Sequence, residues 1–378
     1  MKVPLLDLRP QLAPIEAEIQ AAVAEVISST QYILGPKVEA FEAELAAYLG
    51  AEHAVGVSSG TDALLVALMA LGIGPGDLVI TTPYTFFATA GVVSRVGATP
   101  VFVDIARDTF NLSPDALRTW CADHPHSIQK VKAILPVHLF GQCADMDPIL
   151  EIAAENGWQV IEDAAQAIGA RYTTQGSRRM AATMGEMGCL SFFPSKNLGC
   201  AGDAGAVIVR DAAMAARVRQ FRMHGENPRY HHAYIGGNFR IDPIQCAVLS
   251  VKLPHLDAWN AGRRQRAAYY DAAFAGTPIV TPKIAYTRED HVYNQYTILV
   301  PEQRDALRAH LTERGIGHNV YYPVSLHQQE CFRHLDYHDG DFPESEYAAS
   351  HSLALPVYPE LTEAMQAAVV AAIRAFYA

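Results

Sequence analysis

The sequence predicts an α/β protein: a mostly parallel sheet wrapped by helices, followed by a smaller mixed α/β unit. Three observations carry this. From His53 to Ile161, short apolar runs of strand length alternate with stretches of helical apolar spacing. Polar residues follow directly on two of those runs, at Ser58–Thr61 and Glu162–Gln166, where open α/β sheets gather ligands. Beyond residue 245 the pattern turns to longer helices with isolated strands. A length of 378 residues, half of them apolar, suits two domains and a large core. We place a large domain at 1–245 and a small C-terminal domain at 246–378.

The formal net charge is −11, the pI is near 5.7, and no Lys/Arg cluster stands out. That argues against nucleic acid or an anionic membrane as the main partner. The opening MKVPLLDLRP reaches Asp7 and Pro10 before any long apolar run, unlike a secretory leader, and no apolar stretch has transmembrane length. Six scattered cysteines without a CxxC pair suggest a reduced, cytoplasmic protein with buried, incidental thiols.

In chain order, Pro14–Ser29 carries Ile15, Ile19, Val23 and Val26 at helical spacing, and Lys37–Leu49 is a second helix stopped by Gly50. Strand Ala54–Val57 then feeds the turn Ser58-Ser59-Gly60-Thr61 and a helix over Asp62–Leu71. Such a turn offers backbone N–H groups and hydroxyls to an anion at the positive end of a helix. It also reads as an ordinary N-cap. Strand Leu78–Thr81 precedes Phe86 and Phe87, which open a helix through Val96. One of them is placed to face an aromatic ligand ring, or both pack in the core. Strand Val101–Val103, a helix near Pro114–Cys121, strand Val131–Val137, a helix near Pro148–Asn156 and strand Gln159–Ile161 complete the alternation.

Asp163 lies just past the apolar residues of that last strand and is followed by two alanines, with Gln166 one helical turn on. A carboxylate there can pair with a protonated ring nitrogen, or cap the following helix. Strand Cys189–Phe193 then runs into Pro194-Ser195-Lys196 and a loop of small residues. Lys196 is the only charged side chain between Glu186 and Asp203. A lysine so placed is partly desolvated, its pKa falls, and the neutral amine that attacks an aldehyde becomes accessible. A surface lysine in a glycine-rich turn is the bland alternative. No GxxxxGK[ST] or strand-borne GxGxxG occurs, so nucleotide hydrolysis and the common dinucleotide folds lose support. His231 and His232 are adjacent and lack a completing carboxylate pattern, so no metal site is expected.

In the C-terminal part we read helices over Ile244–Leu253, onward to Ala275, over Gln303–Arg314 and over Glu363–Phe376. Strands are expected at Tyr293–Val300 and Asn319–Tyr322.

Over almost its full length the chain resembles the DegT/DnrJ/EryC1/StrS family of nucleotide-sugar aminotransferases. The resemblance rests on QYILGPKVEAFE, SSGTDALLVAL, PVHLFGQCADMDPI, VIEDAAQAIGA, SFFPSKNLG, GDAGAVI, GGNFRIDPIQCAVL, HVYNQYTI and ALPVYPELT. It implies the fold of the type I pyridoxal-phosphate enzymes. It also implies that Lys196 holds the cofactor as a Schiff base and shuttles the proton, with Asp163 at the pyridine nitrogen and Gln166 at the ring oxygen. Phe86 corresponds to the stacking aromatic, with Phe87 its rival, while Gly60, Thr61 and Ser191 correspond to the phosphate site. Asn238 resembles an asparagine lent by the other subunit, which implies a homodimer with shared active sites; Arg240 is then placed toward the sugar nucleotide. Tyr322 and His327 resemble residues that close over the substrate. Lysine rather than histidine at position 196 argues against the family's dehydratase branch. By resemblance the donor is L-glutamate and the acceptor a keto group of a nucleotide-linked sugar, C3 favoured over C4.

Overall fold

The computed structural model describes residues 1–174 and 177–378. Its strands, in chain order, are β1 (His53–Val57), β2 (Leu78–Thr81), β3 (Thr99–Phe102), β4 (Val131–Ile134), β5 (Gln159–Asp163), β6 (Arg171–Thr174), β7 (Ser177–Met180), β8 (Met187–Ser191), β9 (Gly205–Val209), β10 (Tyr296–Leu299) and β11 (Ser352–Leu355). Among the described residues seven of these form one sheet, ordered β1-β9-β8-β5-β4-β2-β3. The pairs β2–β3, β2–β4, β4–β5 and β5–β8 are parallel, whereas β9 runs antiparallel to both β8 and β1. This is the mostly parallel sheet that the alternation predicts.

Side chains of successive strand residues point to opposite faces, and the core divides accordingly. Ala206 and Ile208 of β9 join Phe41, Leu45, Ile149 and Phe192 on one face. Val207 and Val209 join Leu64, Leu68 and Val93 on the other. Helices Glu16–Ser29 and Pro36–Leu49, the latter ended by Gly50 at φ 66°, pack on helix Pro243–Lys252. A separate core forms around the antiparallel pair β10–β11, from Tyr270, Tyr296, Leu307, Leu353 and Ile373. Helix Leu256–Phe274 bridges the two, giving Leu256 to the first core and Tyr270 to the second. Buried polar ties join them as well. Tyr84 Oη donates to the Tyr321 carbonyl (2.5 Å) and meets Ser352 Oγ (2.8 Å). Asp104 accepts from Glu344 N, Ser345 N and Ser345 Oγ at 2.9, 2.9 and 2.6 Å, covering the first turn of helix Pro343–His351.

Several elements differ from the sequence reading. The strand expected over Asn319–Tyr322 is a single bridge, Asn319 to Ala354, and the partner of β10 is instead Ser352–Leu355. All four residues of β11 are buried, so it lacks the alternation that marks a half-exposed strand. The strand expected to reach Val137 ends at Ile134 because Pro136 has no N–H for the ladder; Val137 keeps one bridge to Asp163. The β6–β7 hairpin and β9 had no separate signal. All six cysteines are free among the described residues, but Cys331 is exposed and Cys121 half-buried, not buried as expected. No helix among the described residues is long and apolar enough to cross a membrane.

The sheet centre is tied by Glu162 of β5, fully buried. Its carboxylate accepts from Ala182 N (2.8 Å), Met184 N (2.6 Å), Gly185 N (2.7 Å) and His138 Nε2 (2.8 Å). His138 Nδ1 accepts from Ala144 N at 3.0 Å, which leaves the Nε2 proton for Glu162. Glu162→Gln turns an amide NH₂ against these donors. It is expected to lower stability by about 3–5 kcal/mol in urea denaturation; an unchanged midpoint would remove Glu162 from this role.

Candidate active site

The carboxyl ends of β1, β5 and β8 and the first residue of β9 meet at one edge of the sheet, with Gly205 paired to both Val57 and Ser191. A cavity of 490 Å³ opens there. Of the residues singled out from sequence, Gly60, Thr61, Phe86, Asp163, Gln166, Ser191, Lys196 and Tyr322 all line it. Asn238, Arg240 and His327 do not.

The turn after β1 is both a helix cap and an anion cup. Ser59 Oγ accepts from Asp62 N (3.0 Å), capping helix Gly60–Ala70. The N–H groups of Gly60 and Thr61 have no protein acceptor among the described residues and face the positive helix end. Glycine is required at two points. A Cβ on Gly60 would stand 2.6 Å from Ser191 Cβ, and one on Gly205 would stand 2.4 Å from the Ser59 carbonyl oxygen. The turn therefore lies directly on the ends of β8 and β9, with the Ser191 hydroxyl beside it.

Lys196 sits on the loop after β8, half-buried, its backbone N–H donating to the Phe193 carbonyl (2.8 Å) and its amine free of hydrogen bonds among the described residues. Desolvation lowers its pKa to about 8, against the opposing pull of Asp163. A buried amide cluster beneath sets the loop: Asn197 Nδ2 donates to Asn260 Oδ1 (2.7 Å) and the Val292 carbonyl (2.9 Å), while Asn294 Nδ2 donates to Asn197 Oδ1 (2.8 Å). Gly199 lies where a Cβ would be 2.3 Å from the Pro194 carbonyl oxygen.

Asp163 is the last residue of β5 and is 5 % exposed. Burial raises its pKa, opposed by hydrogen bonds from Thr89 Oγ1 to Oδ2 (2.8 Å) and from Ala165 N to Oδ1 (3.2 Å). It does not cap a helix: residues 164–170 contain turns at 165–166 and 168–169 and no helix. Gln166 has a determined amide orientation, because Oε1 accepts from Phe140 N (2.7 Å) and Nε2 donates to Tyr322 Oη (3.1 Å). Each of Gln166 and Tyr322 thus keeps a proton free for a ligand. Phe86 lines the cavity near Tyr322, at 6.0 Å between ring centroids, whereas Phe87 leans on Phe332 at 5.7 Å. Both precede helix Ala88–Arg95 rather than opening it.

The remaining residues lie apart. His327 is buried, its Nε2 3.1 Å from Glu346 Oε1 and its ring against Phe342. Asn238 and Arg240 belong to an arm running from Met223, tied by the bridges Met223–Asn238 and Val57–Arg240. Asn238 is exposed, as are Tyr230 and Ile235 of the arm, the latter 94 %. Arg222 at its base is not open to a ligand; it pairs with the buried Glu42 at 2.6 Å. His231 and His232 are exposed, and among the described residues no three His, Cys, Asp or Glu side chains converge on a metal-binding arrangement. Sequence reasoning missed Thr85, Ser195, Gln295 and Tyr321, which also line the cavity, and Thr89 behind it.

Residues 13–374 match the model of the DegT/DnrJ/EryC1/StrS aminotransferase family. A Geobacillus stearothermophilus protein named pleiotropic regulatory protein is 47 % identical over 100 % of this chain and 99 % of its own length. The UDP-N-acetyl-3-dehydro-alpha-D-glucosamine 3-aminotransferase of Acidithiobacillus ferrooxidans is 42 % identical over 98 % of this chain and 97 % of its own. Among solved structures, S. venezuelae DesV in complex with a ketimine intermediate superposes with a TM-score of 0.92 at 42 % identity. That match covers 99 % of this chain and 98 % of DesV. The chain therefore belongs to the DegT/DnrJ/EryC1/StrS aminotransferase family.

Proposed function

We propose that this enzyme uses pyridoxal 5′-phosphate to move an amino group from L-glutamate to the C3 keto group of a nucleotide-linked sugar. The observation that carries the reading is the gathering of a desolvated, unpaired Lys196 amine and a buried Asp163 carboxylate in one cavity beside a free N–H cup. These residues fit the cofactor. The N–H groups of Gly60 and Thr61 with the Ser191 hydroxyl suit a phosphate, and Phe86 offers a ring face. A solved relative, the B. subtilis NtdA structure, contains the cofactor as PMP. When bound, pyridoxal phosphate supplies an electron-accepting ring that stabilises negative charge at the substrate carbon next to nitrogen.

The chain's own groups do the rest. With the cofactor bound, Asp163 would hold the proton of the ring nitrogen, and Gln166 and Tyr322 would offer their free protons to ring and substrate oxygens. Lys196 binds the cofactor and then, as a free amine, carries the proton onto and off the reacting carbon, a task its pKa of about 8 suits. C3 is favoured because the A. ferrooxidans relative is named for that position. The elements packed around β10 and β11 act as the unit that brings Tyr322 over the cavity.

Lys196 is the single cation among the residues lining the cavity, yet a sugar nucleotide and glutamate are both anionic. This supports a homodimer in which the arm of a second copy brings Asn238 and Arg240 to the cavity. The relative named as a regulatory protein favours a second reading, binding without turnover. Lys196, Asp163 and Gln166 converging on one cavity weigh against it.

The primary test is the near-visible absorption of the loaded protein. Adding L-glutamate is expected to bleach the band, and a 3-keto sugar nucleotide to restore it with a 3-amino product. Lys196→Ala should lose both band and turnover while keeping the fold. A band indifferent to glutamate would leave the binding-only reading standing, and a 4-amino product would overturn the C3 assignment. Because only the neutral amine captures an aldehyde, cofactor uptake by the unloaded protein should rise with pH and reach half its maximum near pH 8. No inflection below pH 9 in stopped-flow uptake would refute this. Finally, co-expressed Lys196→Ala and Asn238→Ala chains should regain activity that neither has alone. Absence of complementation, with dimers present by light scattering, would rule out the shared site.

A further inference from the structure

Asp163 has no ion-pair partner among the described residues: Lys196 and His138 act on it only through their fields. Two groups touch its carboxylate, Ala165 N and the hydroxyl of Thr89. Thr89 is fully buried, and its Oγ1 lies 3.1 Å from Oγ1 of Thr85, which is 2 % exposed and lines the cavity. A helical threonine ordinarily returns its hydroxyl to the carbonyl one turn back. Thr89 instead reaches across to the end of β5.

The protons of this string can be counted. An ionised carboxylate only accepts, and each hydroxyl has one proton. Thr89 therefore donates to Asp163 Oδ2 and in turn accepts from Thr85. Every proton in the string points toward Asp163, an order that a protonated Asp163 would not impose. Burial disfavours that charge, so the hydroxyl is what offsets it on one oxygen and orients the other.

We propose that Thr89, supported by Thr85, is a positioning residue that keeps Asp163 ionised and aimed at a protonated ring nitrogen of the cofactor. The inference rests on the reading of Asp163 as the ring-nitrogen partner, so its test separates the two. The unloaded protein is titrated with pyridoxal phosphate and with its 1-deaza analogue, in which CH replaces the ring nitrogen. Wild type is expected to prefer pyridoxal phosphate. Thr89→Val should weaken pyridoxal phosphate about tenfold while changing the analogue's affinity less than about twofold, and Thr89→Ser should restore the preference. Equal loss for both ligands, or none for either, would reduce Thr89 to a packing role and overturn the proposal. Equal affinity of the wild type for both would remove the Asp163 contact and the inference with it. If Thr89→Val does not fold, Thr85→Val reads the same string. A preference reduced about threefold supports it, and an unchanged one overturns it.

Discussion

Two opposite charges share one desolvated cavity without touching, and much of the architecture serves that separation. Asp163 ends β5 and Lys196 stands on the loop after β8, so neighbouring parallel strands deliver them to the same edge. A closed ion pair would cancel both charges and leave neither for chemistry. Kept apart, burial raises the pKa of the carboxyl and lowers that of the amine, each tempered by the other's field. The amine is thereby brought within reach of neutral solution.

Holding that separation needs rigid supports on both sides. Under Lys196 the side-chain amides of Asn294, Asn197 and Asn260 hydrogen-bond in series and Asn197 also donates to the Val292 carbonyl, linking the loop to the helix that spans both cores. Behind Asp163, Glu162 points the other way into four donors, so adjacent residues of one strand do different work: one ties the sheet, the next faces the cavity. Close approach matters as much as polarity. Gly60 and Gly205 let the first turn lie on the strand ends, and a single added carbon at either would push the N–H cup off Ser191 or β9.

The two cores are joined by more than chain connectivity. Tyr84 and Asp104 extend from the sheet side to backbone groups around β11 and helix Pro343–His351, and Tyr322 meets Gln166 across the same boundary. The cavity is therefore walled from both sides, with Lys196 the single cation among its lining residues. The largely exposed arm from Met223 to Arg240 carries arginine and asparagine side chains, which the cavity lining lacks.

The order of strands and helices, the helix stop at Gly50, the N-cap at Ser59 and the cavity residues Asp163, Gln166 and Lys196 were legible in sequence, because each rests on local periodicity, turn chemistry or a charge among apolar neighbours. Other features were decided only by packing in three dimensions. Fully buried strands such as β9 and β11 carry no alternation, so their pairing appears only once the sheet exists. The choice between Phe86 and Phe87 depended on Phe332, far along the chain, and the isolation of Arg222 on Glu42. Thr89 looked like any helical threonine until the fold set it 2.8 Å from Asp163, 74 residues on. Local physics names the groups a chain can use; only burial and long-range contact determine which of them share a low-dielectric space and so acquire altered chemistry.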